Sequence, residues 1–294
     1  MELAHIYFII NPSAGGQEPI LEIIGRVFHD SGRRVTIHVL EEGEQADEIA
    51  RGAASEADLI AVYGGDGSVT LAASALIGTD KPLAIIPGGT ANVLAKELDI
   101  PQDTEAALKL IRDGRFHLKT IDTGLVNDRP FLLRVNLGIM AEMITETDPD
   151  LKDKIGQLAY GVATIKSISK AEPLGYQLHI DGKVIEASGV ALTVTNSGSI
   201  GIGGFQLQPG ISMNDGLLYV VLLKDAGILS LFKAAGSSLL GQETDAISHW
   251  TCRDITIMLP EEQLYLCDDC EDKAKKLQIK VVPASLSIVV PLAS

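Results

Sequence analysis

Apolar and polar residues follow two different rhythms along this chain. Up to about residue 125, short apolar runs alternate with stretches in which apolar residues recur every three or four positions. The runs predict buried strands and the stretches predict amphipathic helices. Repeated strand–helix units predict a mainly parallel, doubly wound α/β sheet with right-handed crossovers. The predicted strands are residues 5–10, 34–40, 59–63 and 83–86, and the predicted helices are 20–27, 44–54, 69–76, 93–98 and 104–113.

After about residue 125 the apolar residues alternate with a period of two, which predicts antiparallel strands in a β-sandwich or barrel. We therefore expect an α/β domain over residues 1–124 and a β-sandwich domain over 125–294, with the last residues free to return to the first domain. A cleft between two domains is the usual place for a substrate. The turn formers expected to separate the strands lie at residues 181–182, 214–216 and 260–261.

One stretch of the second half departs from this alternation. Residues 151–170 carry an apolar stripe at helical spacing, flanked by lysines. Packing against the sandwich is the commoner outcome for such a stripe, and a face turned toward lipid or a membrane surface is the alternative.

Composition narrows the classes of function. The chain has 294 residues, 46% of them hydrophobic, and a formal net charge of −15. The negative charge argues against nucleic acid as a partner, because phosphate backbones recruit basic surfaces. No basic start precedes an apolar run of signal-peptide length, and no apolar stretch is long enough to span a bilayer. We therefore expect a soluble, cytoplasmic protein.

The three cysteines do not make a disulfide framework. His249-x-x-Cys252 and Cys267-x-x-Cys270 have spacings seen in zinc sites. Both pairs lie in predicted sandwich strands, so buried or free thiols are the expected interpretation and a zinc site is the alternative.

Glycine-rich loops follow three of the predicted strands, at residues 11–16, 64–67 and 87–92. A strand that turns sharply through glycines into a helix leaves free backbone N–H groups at the helix start, where they suit a phosphate. Ligands of doubly wound sheets gather beyond the carboxyl ends of the strands. We therefore expect the three loops to meet at one edge of the sheet.

The motifs within these loops resemble those of the diacylglycerol kinase catalytic domain family. The likeness lies in Asn11-Pro-Ser-Ala-Gly15, Gly64-Gly-Asp-Gly67 and Gly89-Thr-Ala-Asn92. It covers nearly the whole chain and is strongest to the soluble bacterial lipid kinases, with sphingosine and ceramide kinases as more distant relatives. Further matches are Ile121-Asp-Thr-Gly124, Gly156-Gln-Leu-Ala-Tyr160, Asn214-Asp-Gly216, Asp269-Cys-Glu271 and Val282-Pro-Ala-Ser-Leu286.

The resemblance implies ATP-dependent phosphorylation of a lipid hydroxyl, on diacylglycerol or a similar lipid alcohol. No Walker sequence is present, so the glycine loops would cradle the phosphates. Asp66 would lie near the phosphates and their Mg²⁺, and Asp122 would act there as well unless it is only a turn residue at a strand end. The residues implied to bind ATP are Asn11, Pro12, Ser13, Ala14, Gly15, Gly64, Gly65, Asp66, Gly67, Ser68 and Thr90.

A structural Mg²⁺ site is also implied, at Ser212, Asp215 and Leu217, although a plain Asn-Asp-Gly turn explains the same residues. The resemblance matches Asp269 and Glu271 to the family's catalytic acids. Crowded carboxylates can raise one pKa toward neutrality, so we expect Glu271 to act as the general base with Asp269 as its partner, or the reverse. A solvated acidic turn is the alternative interpretation.

Several positions depart from the family pattern. Thr70-Leu71 stand where Asn-Glu is usual, Leu40 replaces a nucleotide-contacting threonine, and Val93 and Cys270 replace an acid and a glycine. Two other functions therefore stay open: an NAD kinase, and an inactive module that binds lipid or nucleotide. The partner expected for a kinase is a lipid at a membrane surface, with transient membrane association, and a homodimer is compatible with the sequence.

Overall fold

A computed structural model of the chain describes residues 3–16, 18–141, 172–198, 210–225 and 246–292. Contacts between residues group the chain into two units. One comprises Met1–Thr123 together with Pro283–Ser294, and the other comprises Gly124–Val282. The chain leaves the first unit within strand β5 (Phe116–Val126) and returns to it within strand β14 (Cys270–Pro291).

The first unit is built on a parallel sheet with strand order β2-β1-β3-β4-β14. Every residue of β3 and β4 is buried, which explains why these segments are continuous apolar runs in the sequence. The doubly wound α/β prediction is thereby confirmed. The remaining elements are β1 (His5–Ile10), β2 (Arg34–Val39), β3 (Leu59–Gly64), β4 (Leu83–Pro87), α1 (Ile20–Phe28), α2 (Ala46–Ala53), α3 (Asp66–Leu76), α4 (Val93–Glu97) and α5 (Thr104–Arg112).

Helices α1 and α5 bury one apolar face each in the core of this unit. In α1 the buried residues recur at helical spacing, and the Phe28 ring meets the Phe8 ring of β1 edge-on, with centroids 5.5 Å apart. In α5 the face consists of Ala107, Leu108 and Ile111. These contacts anchor both helices to the sheet on which the loops stand.

The second unit is an antiparallel assembly. Its neighbouring strands follow the order β12-β11-β10-β7-β13-β14. In addition, β8 pairs with the first half of β13, and β9 pairs with β8. The predicted turn at 181–182 is confirmed, since Asp181 and Gly182 both have positive φ between β8 and β9. The strands are β6 (Arg129–Phe131), β7 (Arg134–Gly138), β8 (Leu174–Ile180), β9 (Lys183–Gly189), β10 (Ala191–Thr195), β11 (Leu218–Leu223), β12 (Ile247–Cys252) and β13 (Asp254–Cys267).

The predicted break at Pro260-Glu261 is wrong. Both residues lie inside the continuous strand β13, where the pairing with β14 shifts register between Met258 and Gln263. A proline is tolerated at such an irregularity because its missing N–H is not needed by the ladder there.

The stretch 151–170, with its question of a lipid-facing role, and the 156–160 motif lie outside the described residues. Among the helices that the structure does describe, none has the length and apolarity needed to cross a bilayer.

Candidate functional site

The sheet topology brings the three glycine loops to one edge of the first unit. Strands β1, β3 and β4 are parallel neighbours, so the loops that follow them leave the sheet at the same end. The order of strands along the chain reverses between β1 and β3, and ligands of such sheets bind at that switch point. The first two loops, residues 11–16 and 64–68, emerge there.

Hydrogen bonds tie the loops to one another. The Gly15 N–H donates to the Gly88 carbonyl oxygen over 2.6 Å, and the Gly88 N–H donates to the Gly64 carbonyl oxygen over 2.9 Å. The Asn11 side-chain amide donates to the Ser68 hydroxyl over 2.8 Å. The three loops therefore form one connected backbone surface.

Two glycines let the second and third loops approach without side chains between them. A Cβ added to Gly89 would lie 2.5 Å from the Gly65 Cα, closer than real Cβ contacts come. Only a residue without a side chain fits at Gly89, and the close approach leaves backbone rather than side chains facing the loop surface.

The start of helix α3 leaves N–H groups available for an anion. The first bond of the helix runs from the Val69 N–H to the Gly65 carbonyl, so the preceding N–H groups have no partner in the helix. No side chain caps this helix start, at which Gly65 has an extended conformation. With the positive end of the helix dipole at the same place, the site fits a phosphate group.

Asp66 is the first residue of α3 and is half-buried. Its Oδ1 accepts a hydrogen bond of 3.2 Å from the Leu94 N–H at the start of α4, which links the second loop to the third. Asn92 closes the third loop by bonding both backbone groups of Gly89, and it has a left-handed φ of 47°. Thr90 is exposed on that loop, where a ligand can reach it.

Asp122 lies inside β5 rather than at a strand end, and its side chain is only 2% exposed. It accepts a hydrogen bond of 2.7 Å from the Ala284 N–H, where Ala284 has a φ of 47°. This contact holds a left-handed bend of β14, so the geometry favours a structural role for Asp122 over its expected role at Mg²⁺.

Ser212, Asp215 and Leu217 lie in the segment before β11, where the Ser212 hydroxyl donates to the Asn214 side-chain oxygen over 2.6 Å. The Asp215 carboxylate accepts hydrogen bonds from the Leu217 N–H, over 3.0 Å, and from the Tyr219 hydroxyl. Each carboxylate oxygen has a second lone pair, so the turn retains capacity for a cation. Among the described residues, no group of three or more His, Cys, Asp or Glu side chains could hold a metal ion.

The predicted catalytic acids lie at the β13–β14 hairpin. Cys267 pairs with Cys270, so Asp268 and Asp269 form the two-residue turn and Glu271 is on the strand. Two residues apart on a strand, Asp269 and Glu271 would point to the same face, but Asp269 precedes the strand and this arrangement does not hold. Both side chains are exposed.

Asp268 is buried, whereas the nearby acids Asp269 and Glu271 are exposed to solvent. Its buried carboxylate accepts hydrogen bonds from the N–H groups of Leu132, Leu133 and Arg134, at 2.8–3.0 Å. Burial raises the pKa of Asp268, and the three N–H donors oppose that rise. The turn is therefore anchored by its own first residue.

The cysteines are buried or half-buried thiols, as expected. Burial raises the pKa of Cys252 to about 12 and also raises the pKa of Cys267. The zinc alternative finds no metal-binding group in the parts of the chain that the structure describes.

Sequence reasoning missed three residues next to the first loop. The Tyr63 hydroxyl and the Thr104 hydroxyl each donate to the Glu18 carboxylate over 2.8 Å. Burial, together with Glu18 beside it, raises the pKa of Tyr63. The available signal was a tyrosine at the end of an otherwise aliphatic run, directly before the Gly64-Gly65 pair.

Comparisons with known proteins match both units. Residues 5–126 match the model of the diacylglycerol kinase catalytic domain, and residues 134–290 match that of the YegS C-terminal NAD kinase beta sandwich-like domain. The predicted combination of an α/β domain and a β-sandwich domain is thereby confirmed.

Similar proteins are found across bacteria. A protein named diacylglycerol kinase from Bacillus subtilis is 30% identical over 80% of this chain and 78% of its own length. A relative from Synechocystis is 29% identical over 90% of this chain, which spans 60% of that protein. A crystal structure from Bacillus anthracis matches with a TM-score of 0.85 and 29% identity, covering 99% of this chain and 96% of that one. The chain therefore belongs to the diacylglycerol kinase catalytic domain family, in the branch that carries the YegS-type C-terminal sandwich.

Proposed function

We propose that this protein is an ATP-dependent lipid kinase, which transfers the γ-phosphoryl group of ATP to the hydroxyl of diacylglycerol or a similar lipid alcohol. Family membership and the name of the Bacillus subtilis relative support the reaction class. The observation that carries the proposal is the joining of three glycine loops at the carboxyl edge of a parallel sheet.

The loop surface supplies what phosphoryl transfer asks of a protein, which is mainly positioning and charge stabilisation. The uncapped N–H groups at the start of α3 bind phosphate oxygens, and the close approach of Gly89 to Gly65 keeps side chains out of the way. Asn11 and Ser68, bonded to each other, hold the first and second loops at a fixed spacing.

Carboxylates of this chain are suited to hold Mg²⁺, which would neutralise phosphate charge when bound. Asp66 is a candidate ligand. The Leu94 N–H fixes its Oδ1, while its Oδ2 accepts no hydrogen bond from the described residues. The turn containing Ser212, Asp215 and Leu217 is proposed as the structural Mg²⁺ site.

We assign the proton acceptor for the lipid hydroxyl to the exposed pair Asp269 and Glu271, with Glu271 as the first choice. A general base must reach the proton that it removes, and exposed carboxylates on a hairpin fixed by Asp268 are available to a bulky acceptor. The acceptor lipid is expected to come from a membrane surface.

The test is incubation of the purified chain with γ-labelled ATP and Mg²⁺, beside a panel of lipid alcohols in mixed micelles and beside NAD. The expected result is label in a lipid phosphate. Label in NADP alone would show an NAD kinase instead, and ATP binding without any transfer would show an inactive binding module. Omission of Mg²⁺ is the matched control and should abolish transfer.

A further inference from the structure

A part-buried network of hydrogen bonds to one carboxylate lies directly beneath the first and third glycine loops. Glu18 follows the first loop, Tyr63 ends the apolar part of β3, and Thr104 begins α5. The hydroxyls of Tyr63 and Thr104 both donate to the same oxygen, Oε2 of Glu18, each over 2.8 Å. Three elements that are distant in sequence are therefore joined at one atom.

Tyr63 is 1% exposed, and its side chain lies directly beneath the first and third loops. A Cβ at Gly15 would overlap the Tyr63 hydroxyl, and a Cβ at Gly88 would lie 3.1 Å from the Tyr63 ring. Gly15 also has a φ of 67°, which favours glycine. The tyrosine ring thus fits against bare backbone from both loops.

The other donor ties the network to the core. Thr104 is 5% exposed, and the helix that it begins is capped by Asp103, whose side chain accepts a hydrogen bond from the Ala106 N–H. The apolar face of α5 packs in the same core cluster as Tyr63. Glu18 therefore links the end of the first loop to two well-packed elements.

We infer that Glu18, Tyr63 and Thr104 form a positioning triad that holds the first glycine loop in the conformation that binds the phosphates of ATP. The inference rests on the proposed function and adds residues that do not themselves touch the substrate. Without the triad, only a fraction of the molecules would hold the loop in the conformation that binds ATP. The observed affinity falls in proportion to that fraction, so loss of the triad should weaken ATP binding more than it slows transfer.

The shared acceptor atom makes the prediction specific. Glu18→Gln keeps a carbonyl oxygen that can accept both hydrogen bonds, so it should behave nearly like the wild type. Glu18→Ala removes the acceptor and leaves both hydroxyls unpaired. Tyr63→Phe keeps the ring beneath Gly15 and Gly88 but removes one donor, so its effect should be intermediate.

The experiment measures the Kd for ATP with Mg²⁺ by calorimetry, together with KM and kcat on a lipid acceptor. We expect Glu18→Ala to raise Kd and KM for ATP about tenfold while kcat stays within about twofold, and Tyr63→Phe to raise them about threefold. Glu105→Ala, which removes a half-buried carboxylate of α5 paired with Arg26 of α1 and Lys109 of α5, is the matched control and should leave both values unchanged.

A thermal unfolding curve for every variant keeps loss of folding apart from loss of positioning. A folded Glu18→Ala variant that binds ATP as tightly as the wild type would overturn the inference while leaving the proposed function intact. So would a fall in kcat with an unchanged KM, or a Gln variant as impaired as the Ala variant. A wild-type chain that does not bind ATP would overturn the proposed function, and the inference with it.

Discussion

Replacing Gly89 by alanine is the sharpest test of the loop surface. The added Cβ would lie 2.5 Å from the Gly65 Cα, 2.9 Å from the Asn92 Oδ1 and 3.4 Å from the Gly65 nitrogen. The nearest atom belongs to backbone, so no rotation of a side chain can relieve the overlap. The second and third loops would have to move apart.

The size of that movement follows from the distance. Carbon atoms pack favourably at about 3.5–4.0 Å, so a contact of 2.5 Å requires a separation of about 1 Å. Displacement of a positioned site by about 1 Å can cost on the order of 100-fold in rate. We therefore expect kcat/KM for ATP to fall about 100-fold, which corresponds to about 2.7 kcal/mol.

Two other glycines serve as controls for this variant. At Gly65 an added Cβ would lie 3.4 Å from the Gly89 Cα, close to ordinary contact, so Gly65→Ala should cost no more than about threefold. In helix α2, Gly52 has open space around it, and Gly52→Ala should leave activity unchanged and raise stability by about 0.5–1 kcal/mol.

The assay is initial-rate kinetics at varied ATP, with thermal unfolding to confirm that each variant is folded. A folded Gly89→Ala variant with wild-type kcat/KM would refute the claim that close backbone approach creates the phosphate site. Equal losses in Gly65→Ala and Gly89→Ala would also contradict it, because only the second substitution meets a true overlap.

Three further predictions concern the second unit. Glu271→Ala should lower transfer at least about 100-fold with the Kd for ATP within twofold, and undiminished turnover in rate assays would exclude Glu271 as the base. Asp268→Asn should lower the free energy of unfolding by about 1–3 kcal/mol in urea titration, because an amide NH₂ would face backbone N–H donors; an unchanged midpoint would contradict this. Since burial raises the pKa of Cys252 to about 12, its contribution to stability is full below the unfolded thiol value of about 8.5 and is lost as pH rises toward 12. Above a pH of about 8.5, the free energy of unfolding should fall less steeply with pH in Cys252→Ala than in the wild type. Identical pH dependences in the two proteins would refute the raised pKa of Cys252.

Periodicity and strand direction were enough to predict the loop cluster. A change of apolar period from 3.6 to 2 separates helix from strand whatever the tertiary context, and parallel neighbours must end at the same edge. The approach of the loops after β1, β3 and β4 follows from these two rules alone.

Periodicity and strand direction could not predict which side chains bond to residues far away in the sequence. Asp268 looks like one of several solvated acids in sequence, and its burial depends on N–H groups of Leu132 to Arg134, more than 130 positions earlier. The Glu18–Tyr63 bond likewise spans 45 positions. Pro260 was misinterpreted because a strand irregularity and a turn favour the same residue types.

The return of β14 has a consequence for how the protein is made. Ile288 pairs with Leu83, and Val289 lies in the core of the first unit, so the parallel sheet is completed only after the intervening second unit has been synthesised. Until β14 is synthesised, β4 would have an unpaired apolar edge, and such an edge can pair with strands of other chains. A fragment ending at residue 282 would keep every glycine loop and the second unit but lack the part of β14 that pairs with β4, so the first unit should be difficult to obtain folded without residues 283–291.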